Sequence, residues 1–322
     1  MPASSPLRAW WKRRPPTAGA AVMATGIVSV GLQLAGYEAL SLFALAMASV
    51  AWLALAVDFA VGLLRQRRRW VAEARTPGAL TAVAATAVLG TRFSALGRQG
   101  LAEVLLALCA VLWPVLLFLV VRHWHRRMPG AVFLCCVATQ GLAVLAATLA
   151  AADATAWLAH AALVLFWLGL VLYGFALAHF DVRQVIEGPG DQWIAGGALA
   201  ISALAGAKLI SADSARLYLW DDDNLGVLRD TTIVLLVLDL TCYVVLLTAE
   251  VARPRLRFDV RRWATVFPMG MTATATLSVA AALGILWLER PGRVLVWISV
   301  AVWLTVAAGA VRSARAGFRA AR

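Results

Sequence analysis

Apolar runs of about 20 residues recur along the whole chain, and short polar stretches separate them. A run of this length is what a helix needs to cross a hydrocarbon core of roughly 30 Å. The pattern therefore predicts an all-α polytopic membrane protein. Ten transmembrane helices are predicted, at 18–36, 39–64, 78–94, 100–122, 130–151, 155–180, 191–210, 228–251, 263–287 and 293–313.

Two kinds of helix alternate. The even-numbered helices are bulky, as in "LAEVLLALCAVLWPVLLFLVV", whereas the odd-numbered helices are rich in small and hydroxyl residues, as in "AGAAVMATGIVSVGLQLAG". Small residues are typical of close helix contacts or of a polar path. Because the odd helices start at intervals of about sixty residues, we interpret the chain as five parallel-repeated helical hairpins. We expect an inner ring of odd helices around a central pore.

Helical spacing indicates which side of each odd helix lines that pore. In the ninth helix, a proline, Pro268, follows Phe267, and one stripe carries Phe267, Gly270, Thr274 and Ser278. The other predicted pore-lining residues are polar: Thr25 and Ser29 in the first helix, Thr86 in the third, Gln140 in the fifth and Ser202 in the seventh. The alternative is that these stripes are ordinary packing seams between helices.

Charge supports the predicted topology. Only 14% of the residues are charged, against about 25% in a soluble domain. With a cytoplasmic N-terminus and alternating sides, most of the 29 Lys and Arg residues fall in cytoplasmic segments. We expect a multi-pass inner-membrane protein with cytoplasmic tails at 1–17 and 314–322 around a transmembrane domain at 18–313. The net charge of +12 then reflects membrane topology, so no nucleic-acid partner is predicted.

Ionisable residues are scarce inside the predicted helices. The interiors of the odd helices carry none, which favours a channel-like path of hydroxyls and backbone groups. Asp58 and Asp239 lie within even helices, where each is either a coupling group or a structural tie to a neighbouring helix. The four cysteines show no metal-binding spacing. No metal, cofactor or enzymatic activity is predicted.

The ninth segment, "RRWATVFPMGMTATAT", resembles the W-x-x-T/V-F-P-M/L signature of the tellurite-resistance/dicarboxylate transporter family. That family includes TehA-type bacterial proteins and the plant guard-cell slow anion channels. "VMATGIVSVGLQLAG" and "DQWIAGGALAISALAGAKL" are similar to its first and seventh helices. The resemblance implies ten helices in five hairpins with quasi-fivefold symmetry and a homotrimer with one pore per protomer. It also implies that Phe267 plugs the pore.

These observations lead to one main hypothesis and one alternative. The main hypothesis is an anion channel or passive transporter that moves small inorganic or carboxylate anions through a central uncharged pore, gated by Phe267 and kinked at Pro268 and Gly270. The alternative is a proton-coupled exporter of dicarboxylate, sulfite or similar anions that uses Asp239 or Asp58. The sequence leaves the identity of the anion open.

Overall fold

Ten long helices account for most of the chain. The computed structural model describes residues 19–213, 219–253 and 259–320, so the predicted N-terminal tail at 1–17 lies outside the described residues. The helices of 15 or more residues within these ranges are α1 (Gly19–Leu34), α2 (Glu38–Arg65), α3 (Thr81–Ala95), α4 (Gln99–Val121), α5 (Leu134–Asp153), α6 (Ala156–His179), α7 (Ile194–Ala212), α8 (Asp222–Ala252), α9 (Trp263–Leu283) and α10 (Glu289–Ala320). Two short helices, Arg67–Ala74 and Gln184–Glu187, lie between them.

Two helices extend well beyond their predicted bounds. Helix α8 begins at Asp222 and not near 228, because the carboxylate of Asp221 accepts a hydrogen bond from the Asn224 N–H at 2.8 Å and caps its first turn. Helix α10 continues to Ala320, so most of the segment predicted as a C-terminal tail is helical. Helix α9, in contrast, ends at Leu283, short of the predicted 287.

The turns between helices repeat along the chain. A short 3-10 turn precedes α3, α5, α7 and α9: Pro77–Leu80, Gly130–Phe133, Asp191–Trp193 and Val260–Arg262. The links from α1 to α2, α3 to α4, α5 to α6 and α9 to α10 each contain one residue with positive φ: Gly36, Gly97, Ala154 and Gly284. Glycine adopts this left-handed conformation without steric cost, which explains its use in three of the four links.

The odd helices form the interior. Each contacts the even helix that follows it, and α1 contacts α3, α3 contacts α5, α5 contacts α7, α7 contacts α9 and α9 contacts α1. These contacts close a circuit of five helices. The apolar segments of α5, α7 and α9 are 83% or more buried, whereas those of the five even helices are at most 33% buried. The bulky side chains of the even helices thus face outward, as a lipid-facing surface requires.

Hydrogen bonds tie the even helices to the next odd helix around the circuit. The indole Nε1 of Trp52 on α2 donates to Thr86 on α3 at 2.8 Å, and that of Trp113 on α4 donates to Thr139 on α5 at 2.8 Å. Trp303 on α10 donates in the same way to Thr25 on α1 at 3.0 Å. The same type of contact therefore occurs at three of the five outer-to-inner interfaces.

Length and composition identify most of the helices as membrane spans. Eight are long and apolar enough to cross a bilayer, and α1, with 16 residues, is apolar but shorter. Helix α3 falls in neither group, since it has 15 residues, is rich in Ala and Thr, and carries Arg92. The chain is thus a multi-pass membrane protein, while the full count of ten crossings belongs to the proposal below.

We expect Trp113→Phe to lower the stability of the protein in detergent by about 0.6 kcal/mol, the typical value of a side-chain hydrogen bond between membrane helices. Thermal unfolding measures the loss, and Trp157→Phe is the control because Trp157 is 71% exposed at the start of α6. In a double-mutant cycle, Trp113→Phe and Thr139→Val should be non-additive. Equal midpoints for the Trp113 and Trp157 variants would show that the tie contributes nothing.

Candidate functional site

All five odd helices border one small cavity. Its volume is about 20 Å³, room for about one water molecule. Except for Thr91, its lining is apolar: Ile27 and Val30 from α1, Ala87, Val88 and Thr91 from α3, Gly141 and Val144 from α5, Ile201 and Leu204 from α7, and Met271 from α9. The hydroxyl of Thr91 donates to the Ala87 carbonyl of its own helix at 2.9 Å. The inner helices therefore face one another across a narrow centre with a mostly apolar lining.

Three of the predicted pore-lining hydroxyls point away from this cavity. Thr25 and Thr86 accept the indole hydrogen bonds from α10 and α2 described above. Ser29 on α1 donates to the Ser41 carbonyl on α2 at 2.8 Å, and the Ser41 hydroxyl donates back to the Ser29 carbonyl at 2.7 Å. The hydroxyls of Thr25 and Thr86 also donate to carbonyls of their own helices, those of Ala21 at 2.8 Å and Ala82 at 2.7 Å, so each is satisfied both as donor and as acceptor. None of the three residues borders the cavity, and their role as pore lining stays a prediction.

Gln140 and Ser202 are neighbours of cavity residues but do not border the cavity. The fully buried Gln140 donates from Nε2 to the Phe166 carbonyl on α6 at 3.0 Å. Ser202 donates to the Ala198 carbonyl of its own helix at 2.7 Å, and its Oγ lies 3.9 Å from the Cys136 sulfur on α5. The Oε1 atom of Gln140 has no hydrogen-bond partner among the described residues, whereas the Ser202 hydroxyl donates within its own helix.

On α9, the predicted stripe is only partly on the cavity side. Met271 borders the cavity, while the Thr274 hydroxyl donates to the Gly270 carbonyl at 2.9 Å. A Cβ built on Gly270 would lie 2.9 Å from Ile27 Cγ2, so Gly270 serves close packing of α9 on α1. Phe267 precedes Met271 by one helical turn and Ser278 follows it by two turns, which places both on the same side of the helix as Met271.

Phe267 lies in a layer of smaller residues, one turn from the cavity. The residues that precede a cavity residue by one helical turn on the five odd helices are Met23, Ala84, Val137, Gly197 and Phe267. Every member of this layer is buried, and Phe267 is fully so. As the only aromatic member, Phe267 is the bulkiest side chain at this level. The structure therefore puts Phe267 next to the cavity on the side where the odd helices begin.

Pro268 is accommodated by a glycine on the neighbouring helix. Proline has no N–H to donate to the carbonyl one turn earlier, and its ring needs space within the helix. A Cβ on Gly197 of α7 would lie 2.9 Å from Pro268 Cγ and 3.1 Å from its Cα. Gly197 thus lets the proline-containing turn of α9 approach α7 closely.

The two candidate coupling carboxylates lie in different environments. Asp239 on α8 is fully buried, and its Oδ1 accepts a hydrogen bond from the Thr272 hydroxyl on α9 at 3.0 Å. Its Oδ2 has no hydrogen-bond partner among the described residues. Asp58 is exposed on α2, in a different hairpin. Neither borders the cavity, and the described residues contain no cluster of three or more His, Cys, Asp or Glu suited to a metal ion.

The apolar lining is what the sequence-based prediction missed. Ile27, Val88, Ile201 and Met271 look like ordinary core residues in a chain that is 62% hydrophobic. One signal was present, because Met271 lies one turn after Phe267 and shares its stripe. The sequence-based prediction took the polar residues of the odd helices as the pore lining. In the structure, most of these polar residues lie on the side of the helix that bonds to the outer helices.

The chain matches one known protein family over most of its length. Residues 13–311 match the model of the voltage-dependent anion channel family, which covers nearly the whole chain. This match confirms the family identified from the ninth-helix motif. A search of curated proteins gave no match.

We expect Gly197→Ala to destabilise the protein by about 1–3 kcal/mol, because the added methyl group overpacks the contact with Pro268. The matched control is Gly174→Ala on α6, where a Cβ meets nothing within 4 Å. There, the higher helix propensity of alanine should leave stability unchanged or raise it. Thermal unfolding in detergent distinguishes the two variants, and equal midpoints would contradict the close contact.

Proposed function

Because the chain belongs to the voltage-dependent anion channel family, we propose that it is a channel or passive transporter that moves small inorganic or carboxylate anions through the centre of its five odd helices. The observation that carries this proposal is the cavity on which all five odd helices converge. In the proposed arrangement, ten helices cross the membrane, with the odd helices in a ring and the even helices outside it. The closed circuit of contacts and the burial of the odd helices support it.

The proposed pathway is a hydrophobic constriction and not a chain of hydroxyls. The cavity on this pathway is lined by residues that include Ile27, Val88, Ile201 and Met271, with Phe267 one turn away along α9. Apolar constrictions close a channel by excluding water, and an anion passes only when the path widens enough to hydrate. Backbone groups, and single charged side chains at the ends of the pathway, then bind the anion weakly. Rapid transport requires such weak binding.

Phe267 is the proposed gate of this pathway. Its ring occupies a layer whose other members include the small residues Ala84 and Gly197. Pro268 follows it directly and leaves one backbone carbonyl of α9 without its usual partner, which lowers the cost of moving this turn. A change in the backbone conformation of this turn would move the Phe267 ring out of the pathway without unfolding the rest of α9.

We expect Phe267→Ala to raise anion flux on the order of ten-fold or more, the effect of lowering a barrier by about 1.4 kcal/mol. Nitrate and chloride currents across a planar bilayer, or flux into proteoliposomes, measure the change. The control, Phe43→Ala, removes the same ring from a residue that is 66% exposed on α2. This variant should conduct like the wild type.

Truncation of a buried phenylalanine costs about 3–5 kcal/mol, so size-exclusion profiles must first establish that the variant is folded. Phe267→Leu, a smaller change, should give an intermediate flux. A folded Phe267→Ala protein with the flux of a measurable wild type would exclude Phe267 as the gate.

The second candidate function is a proton-coupled transporter, and the unpartnered Oδ2 of the fully buried Asp239 favours it. A carboxylate at membrane depth is a recurrent proton-coupling group. The hydrogen bond from Thr272 favours the other role, a tie between α8 and α9. Asp58, being exposed on α2, is the weaker coupling candidate.

We expect anion uptake into proteoliposomes to proceed without a pH gradient and to persist in Asp239→Asn, because an asparagine oxygen can still accept the hydrogen bond from Thr272. Uptake is measured with and without an imposed gradient in both proteins. Gradient-driven uptake that disappears in Asp239→Asn would support the coupled transporter instead.

The remaining features of the prediction stay proposals. The distribution of Lys and Arg favours an inner-membrane orientation with both termini in the cytoplasm. In that orientation the odd helices run outward, and the cavity opens to the outside past their C-terminal ends. The homotrimer, which follows from the family resemblance, remains a prediction.

A further inference from the structure

One basic side chain lies directly beyond the cavity. Lys208 on α7 follows the cavity residue Leu204 by one helical turn and Ile201 by two, so all three occupy one stripe of the helix. Lys208 is partly exposed and four residues from the C-terminal end of α7, Ala212. The stripe that forms the constriction therefore ends in a cation.

The level of Lys208 forms an open mouth. The residues one or two turns past the cavity on the other odd helices are Leu34, Ala95, Thr148 and Ser278. Leu34 and Ala95 are exposed and Thr148 is partly exposed. We define Leu34, Ala95, Thr148, Lys208 and Ser278 as the C-terminal mouth. Since three of its members besides Lys208 are exposed or partly exposed, this layer lies nearer to the surface of the protein than the buried residues of the cavity.

The charge of Lys208 has no carboxylate partner. The described ion pairs on the same helices or their neighbours, such as Arg92 with Glu38 and Arg262 with Glu250, do not include Lys208. The stretches outside the described residues contain no Asp or Glu at all. Arg92, which is also near the end of its helix, is in contrast only 1% exposed and held by Glu38 and Ser41 on α2. Among the described residues, no Asp or Glu forms an ion pair with Lys208, so its charge remains available to an anion.

A free hydroxyl donor lies at the same level on the adjacent helix. Ser278 on α9 is 7% exposed, and its Oγ has no hydrogen-bond partner among the described residues. Helices α7 and α9 contact each other, and both residues lie past the cavity on the cavity side. Thr148 differs, since its hydroxyl already donates to the Val144 carbonyl at 2.7 Å. A buried hydroxyl without a partner is costly unless a ligand or water accepts from it.

From these observations we propose that Lys208 and Ser278 form an anion-binding site at the C-terminal mouth, which takes small monovalent inorganic anions or monocarboxylates. This inference rests on the proposed pathway and adds a capture step to it. The ammonium group attracts the anion electrostatically, and the serine hydroxyl donates one hydrogen bond to it. A single positive charge in a partly hydrated mouth binds weakly, so the anion is concentrated there without being trapped.

Anion binding is tested first, on purified protein and independently of transport. Sodium nitrate and sodium chloride, at ionic strength kept constant with sodium HEPES, whose bulky sulfonate lies outside the proposed ligand class, should raise the unfolding temperature of the wild type. The shift should disappear in Lys208→Gln, weaken in Ser278→Ala and persist in Lys208→Arg. The matched control is Arg98→Gln, which removes one positive charge from an exposed residue in the α3–α4 link. It should behave like the wild type.

Conductance is tested in the Phe267→Ala background. With Lys208→Gln added, nitrate conductance at low concentration should fall about five-fold, the effect of one unit charge at roughly 4 Å in water. The difference should shrink at high nitrate, because the site only concentrates the anion. Adding Arg98→Gln instead should leave the concentration dependence unchanged.

The outcomes separate this site from the proposed function. Equal anion stabilisation of the wild type and Lys208→Gln overturns the site, and so does a wild type that neither nitrate nor chloride stabilises. An equal effect of Lys208→Gln and Arg98→Gln also overturns it, because a diffuse field then accounts for the attraction. If Lys208-dependent binding holds but Phe267→Ala does not conduct, the site stands and the proposed pathway fails.

Discussion

The need of a polar side chain for a hydrogen-bond partner inside an apolar surrounding shapes the interior of this protein. The odd helices are rich in hydroxyl residues, and water is excluded from most of their surface. Indoles of the even helices satisfy Thr25, Thr86 and Thr139. Because each of these contacts turns a hydroxyl outward, the opposite side of the same helix is left with apolar side chains. The indole contacts lie on the side away from the cavity, and the residues that border the cavity are apolar except for Thr91.

Close packing is the second requirement, and glycine meets it at the contacts between odd helices. A Cβ on Gly26 would lie 2.9 Å from Val88 Cγ1, and one on Gly90 would lie 2.7 Å from Leu145 Cδ2. Together with Gly197 against Pro268 and Gly270 against Ile27, these contacts draw neighbouring helices together around most of the circuit. Backbones that approach so closely leave a cavity of only about 20 Å³ between the five odd helices.

The sequence predicted the helices better than their orientation. Length and hydropathy located all ten long helices, because a run of apolar residues bounded by charges or glycine has few alternatives in a bilayer. Missed helix ends, such as Asp222, depend on a local capping contact. The lining was harder to predict, since a threonine in an inner helix satisfies its hydroxyl equally well from a pore or from a neighbouring indole. Only the position of Trp52 opposite Thr86 distinguishes these cases, and sequence spacing alone does not contain it.

The positive charge of Lys208 lies outside the apolar constriction. A cation within the constriction would bind an anion in a low-dielectric surrounding and hold it there, whereas a wholly apolar path offers no reason for an anion to enter. On α7, the apolar residues and the positive charge lie at different levels of one stripe. Ile201 and Leu204 lie at the constriction, and Lys208 lies one turn beyond them. Arg92, whose helix also borders the cavity, is neutralised by Glu38 on α2. In the proposed pathway, selectivity for negative charge and closure by exclusion of water would reside in successive turns of the same helix, so that each could change without loss of the other.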